Sequence, residues 1–422
     1  MSTLRLRHLA DINPLTPAFN RLANEEELTF LPMEAVWPGE RLDLSWRRTK
    51  ASVSTGYTRF QNGDVLVPKI TPTFEAGRSV LIHGLHRGVG VGSTELHVLR
   101  PGPLIDQRFL LYVANTHSFL KQGEAEMYGV AGQQRVPDRF LRDLPVQLPT
   151  LEEQRRIADF LDAETNRIND LQWRTARQLA LLQEQFHEMM RRWTTVGNDE
   201  TSPTRIPWMP KMNSNWSLLK VGHQFMTGSG TTPTSTVAEY FDGPYWWINS
   251  ADLNDGEVTS SEKKITDRAL NDFPALKLHN HGSLVIAMYG QGATKGKVGL
   301  LANQACVNQA CCVLSPTGRI STQYARYWFR AHKESVVALA QGAGQPNLSQ
   351  ELIRSLWIPT PDMTEQQKIV FYLTGAEEQL SRKVQLLRER ENLLAERRQA
   401  LITAAVTGQI DVSTASGRGI EE

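Results

Sequence analysis

The sequence predicts an α+β protein in which one plan, a globular part followed by a long helix, occurs twice. Two observations carry this. Pro149-Thr-Leu-Glu-Glu-Gln-Arg-Arg-Ile157 and Pro361-Asp-Met-Thr-Glu-Gln-Gln-Lys-Ile369 superpose at a displacement of 212 positions, taking Glu153 onto Glu365. The register then holds for five heptads: Leu161, Ile168, Thr175, Leu182 and Met189 fall on Leu373, Leu380, Leu387, Leu394 and Leu401. Apolar residues seven apart over this length mark a coiled-coil seam. Repetition of both spacing and register marks an internal duplication.

Each long helix carries its own start and stop. Thr150-Leu-Glu-Glu153 is a capping box, and Asp362-Met-Thr-Glu365 is its counterpart. Pro149 and Pro361 stand just outside, where no helical hydrogen bond is lost. Gly197 and Gly408 supply the left-handed residue that ends a helix. Each helix then runs about 44 residues, or 65 Å at 1.5 Å per residue.

The chain divides into 1–148, globular; 149–197, the first long helix; 198–215, a polar, proline-rich linker; 216–360, globular; 361–408, the second long helix; and 409–422, a loose tail. In the first globular part, buried strands are expected at Gly63 to Pro68, Ser79 to Ile82 and Glu95 to Leu99. A helix follows around Phe109 to Phe119, then a glycine-containing loop from Tyr128 to Val136. The second part repeats this frame. Trp216 to Gly222 matches the amphipathic start at Leu4 to Ile12, and Gly282 to Ala287 matches Gly63 to Pro68. Tyr324 to Phe329 matches the Phe109 helix, and Gly342 to Leu348 matches Gly132 to Val136. The polar residues between do not repeat: Asn347 replaces Arg135. Two similar frames with different loops suit reading two different things.

Composition sets limits. Hydrophobic residues at 40% and charged residues at 22% are those of a soluble protein with real cores. The cysteines Cys306, Cys311 and Cys312 lie in one apolar run without a second pair at ligand spacing, so buried free thiols and a reducing cytoplasm are expected rather than zinc. No secretion signal and no membrane-spanning run is expected. Net charge is +1, with a small positive excess on each globular part.

Catalytic motifs are missing. Gly290-Gln-Gly-Ala-Thr-Lys-Gly-Lys297 fails as a phosphate loop: the glycine spacing is wrong, and Val298 stands where a hydroxyl must hold magnesium. A tight turn between strands, with both lysines exposed, is expected there. Neither His-Glu-x-x-His, Gly-x-Ser-x-Gly, a dinucleotide fingerprint nor the Asn/Asp-Pro-Pro-aromatic run of base methyltransferases occurs. His83, His86 and His97 lack convergent carboxylates, and Tyr245-Trp-Trp247 reads as core.

The candidates for DNA contact are Arg47, Arg48 and Lys50, which accompany Trp46; Lys69; Gln133, Gln134 and Arg135; Tyr289, Gln291, Lys295 and Lys297; and Gln345 with Asn347. Arg pairs bidentately with guanine, and Gln or Asn with adenine. Lys69, Arg78, Lys295 and Lys297 suit phosphates, which position without specifying.

The duplicated unit of globular domain, proline, Glu-Gln-x-x-Ile and long helix resembles the specificity subunit of Type I restriction–modification enzymes. The resemblance rests on Leu148 to Ile157, Pro361 to Ile369, the lead-in Ile206 to Trp216 and the ending Leu401 to Val412, and covers nearly the whole chain. It implies two target-recognition domains separated by two long helices in an antiparallel coiled coil, with an internal pseudo-twofold repeat. Each domain would read one half of a split site in double-stranded DNA, and the helices would set the unread gap. It implies no catalytic activity and no cofactor on this chain. S-adenosylmethionine would sit on two methyltransferase subunits docked along the helices, and ATP and Mg on restriction (translocase–nuclease) subunits joining them. DNA methylation by the restriction system would then depend on this chain for its target. A coiled-coil adaptor that binds only proteins is the competing reading. A self-sufficient methyltransferase or nuclease would need a site the sequence lacks.

Overall fold

The computed structural model describes residues 2–36, 42–130, 132–290, 292–340 and 347–412. The chain forms two compact units, residues 1–176 with 388–422 and residues 177–387. Each long helix contributes one segment to each unit. The helices span Leu151–Thr195 and Met363–Val406, within two residues of the expected ends.

Both ends form as the sequence dictates. The Thr150 N–H donates to Glu153 at 2.9 Å and the Glu153 N–H to the Thr150 hydroxyl at 3.3 Å, closing the capping box. The Thr150 N–H and hydroxyl, both donating to the Glu153 carboxylate, hold it below its ordinary pKa. The Glu365 N–H donates to Asp362 at 2.8 Å. Gly197 and Gly408 adopt φ of 61° and 72°, where any other residue is strained.

In the first unit the chain starts as a strand, Ser2–Arg5, paired antiparallel with Pro145–Leu148, which leads straight into the first long helix. A four-stranded antiparallel sheet runs in the order Ala10–Ile12, Leu96–Pro101, Val65–Pro68, Val80–Leu81. A second, mixed sheet runs Arg47–Thr49, Glu27–Leu31, Val89–Gly92, Thr58–Gln61. Helices Gln107–Val113, His117–Ala125 and Asp138–Asp143 complete it. The single helix expected around Phe109 to Phe119 is therefore two, broken where Thr116 caps the second by accepting from the Phe119 N–H. Phe109, Leu110, Phe119 and Leu141 share one core with Ile157, Ala158 and Leu161 of the first long helix and Ile402, Ala405 and Val406 of the second. Further along, Arg398 donates to Asn169 at 2.7 Å. The two segments thus run antiparallel.

The second unit repeats the arrangement. Ser217–Lys220 pairs antiparallel with Trp357–Thr360, which leads into the second long helix. A five-stranded sheet runs Phe225–Ser229, Cys311–Pro316, Leu284–Ala287, Val298–Leu301, Glu257–Val258, and a three-stranded one Lys264–Ile265, Phe241–Ile248, Ala305–Val307. Helix Thr322–Ala331 packs Tyr324, Tyr327 and Trp328 against Phe186, Met190, Ile369 and Leu373 of the long helices. The Trp193 and Tyr372 rings meet at 4.9 Å. Every seam residue named above, Leu161 to Met189 and Leu373 to Leu401, is buried or half-buried.

The reading of 198–215 as an exposed linker is corrected. The segment is a hairpin, Thr201–Ile206 with Met209–Asn213. Met209 and Met212 are buried, and Trp208 lies 5.9 Å from Trp328. Pro203 and Pro210 sit in this two-stranded ladder, where missing N–H groups can face outward, and Pro207 in its turn.

One contact occurs in both units and fixes each long helix to its globular part. Gln154 is fully buried: its carbonyl accepts from the Asp106 N–H at 2.8 Å, and its amide donates to Leu104 at 3.1 Å and Pro149 at 3.0 Å. Gln366 does the same with the Ser321 N–H at 2.9 Å, Arg319 at 2.7 Å and Pro361 at 3.0 Å. Asp106 and Ser321 are the N-caps of Gln107–Val113 and Thr322–Ala331. A second repeated contact lies about two to three turns further along each long helix. Tyr112 donates to Asp162 at 2.6 Å and meets Thr165, while Tyr327 donates to Glu377 at 2.9 Å and meets Thr374.

Replacing Gln154 or Gln366 with Leu keeps the volume and leaves one N–H and two carbonyls buried without partners. Each substitution is expected to cost about 2–3 kcal/mol, read as a lower denaturation midpoint with an unchanged slope against denaturant.

Candidate nucleic-acid interface

In the first unit the Tyr128 to Val136 loop is folded onto the end of strand Val65–Pro68. Arg135 bridges Tyr128 on one side and Ile70 on the other. The Val136 N–H donates to Lys69 and the Thr71 N–H to Gln134. Gln133 is exposed, Gln134 and Arg135 are half-buried, and Tyr128 and Val130 project at 63% and 81% exposure. Arg135 does not stand alone. Its Nε and Nη2 clasp Glu95 at 2.8–3.1 Å, and Nη1 donates to the Gln133 carbonyl at 3.2 Å. The Arg135 hydrogen bonds hold the Glu95 carboxyl below its ordinary pKa. Lys69 donates to Thr94 at 2.9 Å, and desolvation lowers its pKa.

Arg47, Arg48 and Lys50 belong to the other sheet. Trp46 to Lys50 is not a loop but the lead-in to an edge strand, Arg47–Thr49, and the short 3-10 turn after it. Arg47 donates to the Trp46 and Leu44 carbonyls. Arg48 lies 5.2 Å over Phe30, and Lys50 donates to the Asn20 and Leu22 carbonyls. The sequence reading passed over Arg59, stacked 4.0 Å over Phe19, and the exposed Tyr57 against Phe30. Alternating aromatic and cationic residues across paired strands was the signal available.

In the second unit, Tyr289, Lys295 and Lys297 lie on the connection between antiparallel strands Leu284–Ala287 and Val298–Leu301. A strand follows this loop where a phosphate loop needs a helix. It is a long loop with its own helical turn, not a tight turn, and both lysines are half-buried rather than exposed. Lys333 donates to the Ala293 carbonyl at 3.0 Å, filling part of its margin. Tyr289 is half-buried, and desolvation raises its pKa. Asn347 is exposed, and the next residue, buried Leu348, donates to Met288 at 3.0 Å. Val136 donates to Lys69 in the same way at 2.9 Å. Arg135 and Asn347 therefore occupy equivalent stations, each just before the residue that docks on a central strand's end. Gln291 and Gln345 lie outside the described residues.

The other titratable groups are structural. His97 is buried between the Val136 carbonyl and Asn13, and burial pushes its pKa down to about 4. His332 is buried against Thr195 and pushed down to about 3. Burial lifts the thiols of Cys306 and Cys312 to about 12 and raises Cys311 as well. Trp247 is buried and Tyr245 and Trp246 half-buried, as core residues. Among the described residues, no group of His, Cys, Asp and Glu could hold a metal ion, and no helix is long and apolar enough to cross a membrane.

Residues 47–179 and 213–394 match the sequence model of the Type I restriction modification DNA specificity domain. The chain belongs to this family. It is 40% identical over 156 residues to the Type I restriction enzyme EcoAI specificity subunit of Escherichia coli, a match spanning 36% of this chain and 26% of that protein. It is 20% identical over 382 residues to the MjaVIII specificity subunit of Methanocaldococcus jannaschii, spanning 87% and 86%. Its fold is that of a chain solved in work described as the structural basis underlying complex assembly and conformational transition of the type I R-M system. The TM-score there is 0.75 at 15% identity, over 97% and 98% of the two chains. The HsdS subunit of Thermoanaerobacter tengcongensis gives 0.51 at 16% identity, over 97% of each.

The two histidines carry a pH dependence. Their folded pKa values lie below the ordinary 6.5, so the unfolded chain takes up protons first as pH falls. Their contribution to stability is complete above pH 6.5 and declines as pH drops toward 4 and 3. Unfolding followed at pH 7, 6 and 5 should show this loss, and a His97→Gln, His332→Gln chain, stable enough to measure, should show a shallower slope.

Proposed function

We propose that this chain is the non-catalytic, sequence-reading subunit of a type I restriction–modification complex. The observation that carries the reading is the pair of equivalent stations. In both domains the residue after the station donates the same backbone bond to the same strand end, yet one station presents Arg135 and the other Asn347. Arginine suits guanine and asparagine suits adenine in the major groove. A duplicated scaffold with unlike side chains at one station is what a reader of a split site needs. Lys69, Gln133 and Gln134 flank the first station, and Tyr289, Lys295, Lys297 and Asn347 contribute to the second. Arg47, Arg48 and Lys50 lie on a separate sheet and suit phosphate contact.

The chemistry belongs to partners. Two methyltransferase subunits carrying S-adenosylmethionine dock along the long helices, and restriction subunits using ATP and Mg join them. Support comes from the apolar residues exposed on these helices, Trp173 at 65%, Phe371 at 84%, and Leu386 and Leu393 at 64% each. The complex works in the cytoplasm, where its DNA is.

Genome-wide mapping of methylated bases, in cells expressing the full chain with its methyltransferase subunit and in cells lacking the chain, tests the proposal. The expected result is a new split motif, two short specific halves around a fixed gap. A soluble, assembled complex that adds no methylation would leave a protein-only adaptor as the better reading.

A further inference from the structure

We propose that Glu95 is a positioning residue for base reading: it holds the Arg135 guanidinium in the orientation that reads a guanine in the first half-site. The inference rests on the sequence-reading function proposed above.

The backbone of Arg135 is pinned from both sides, by its bridges to Tyr128 and Ile70 and by the Val136 and Thr71 hydrogen bonds that bracket it. Glu95 is pinned too. Its N–H donates to the Ser93 hydroxyl at 3.2 Å, and its carbonyl accepts from the Lys69 N–H at 2.8 Å. The side chains then lock together through three contacts at 2.8–3.1 Å.

A guanidinium has about five N–H donors in a rigid fork. Glu95 engages Nε and Nη2, and the Gln133 carbonyl takes one donor of Nη1. One N–H on each terminal nitrogen is left. A guanine edge, with O6 and N7 as paired acceptors, takes two such donors.

The pair lies where a ligand can reach it. Arg135 is 40% exposed, beside the exposed Tyr128 and Gln133. A guanidinium already paired with a carboxylate gains little from phosphate, because the pair is locally neutral. Its advantage is orientation: fewer rotamers are lost when the base is met. At the equivalent station the neutral Asn347 needs no such carboxylate.

The test uses the full chain with its methyltransferase subunit and maps methylation for wild type, Glu95→Gln, Arg135→Ala and the double variant. Glu95→Gln and Arg135→Ala should relax the same base position of one half-site, each by about tenfold in preference. The double variant should relax it no further than Arg135→Ala. The other half-site and the gap should stay sharp, which also certifies that the variants fold. If Arg135→Ala relaxes a position that Glu95→Gln leaves sharp, Arg135 reads a base without Glu95 and the proposal is wrong. Equal loss of methylation at all sites would make the pair a structural ion pair and overturn the proposal. Absence of any split motif with the wild-type chain would overturn the sequence-reading function, and this proposal with it.

Discussion

One buried amide, present twice, ties each long helix to its own globular domain. Gln154 and Gln366 each sit at the start of a long helix with no solvent exposure and all three hydrogen bonds within the chain. The site demands an acceptor for one N–H and donors for two carbonyls at a single point. Glutamine meets that demand; glutamate has no donors when ionised, and leucine has neither. The partners are the N-cap of the domain's main helix, the loop before it and the proline that opens the long helix. A single side chain thus couples the entry angle of the long helix to the globular core it leaves. With that angle fixed, the tyrosine contacts about two to three turns on and the apolar seam follow in register.

Fixing the frame leaves the loops free to differ. The strand-end docking of Val136 and Leu348 uses only backbone atoms, so it is indifferent to the neighbouring side chain. That docking bond therefore does not itself require arginine at 135 or asparagine at 347. Most cations of the first unit are engaged by carbonyls, carboxylates or rings, so the surface presents a few oriented donors rather than a broad positive field. Oriented donors favour discrimination between bases over indiscriminate attraction to phosphate.

Local and periodic features were legible in the sequence. Both long helices, their caps and their stop glycines follow from short patterns with one physical solution each. The buried strands at Val65–Pro68 and Leu284–Ala287 were equally plain. Features set by distant partners were not. The 198–215 hairpin looks like a linker because its prolines and polar residues dominate locally, while Trp208 and Met209 pack against residues far along the chain. The loop carrying Lys295 and Lys297 is met at Ala293 by Lys333, the first residue of a helix far along the chain. Glu95 sits forty residues from Arg135, so no spacing rule could join them, and the candidate site was read as side-chain chemistry without its supporting partner.

If two anchored domains read one split site, the length of the long helices sets the gap between its halves. Inserting one whole heptad at matching points of both long helices preserves the seam and both glutamine contacts. It lengthens the helices by about 10.5 Å, or roughly three base pairs at 3.4 Å each. Mapping the methylated motif of that variant is the most direct measurement. A gap set by helix length leaves both half-sequences unchanged and widens by about three base pairs. An active complex with an unchanged gap would contradict it.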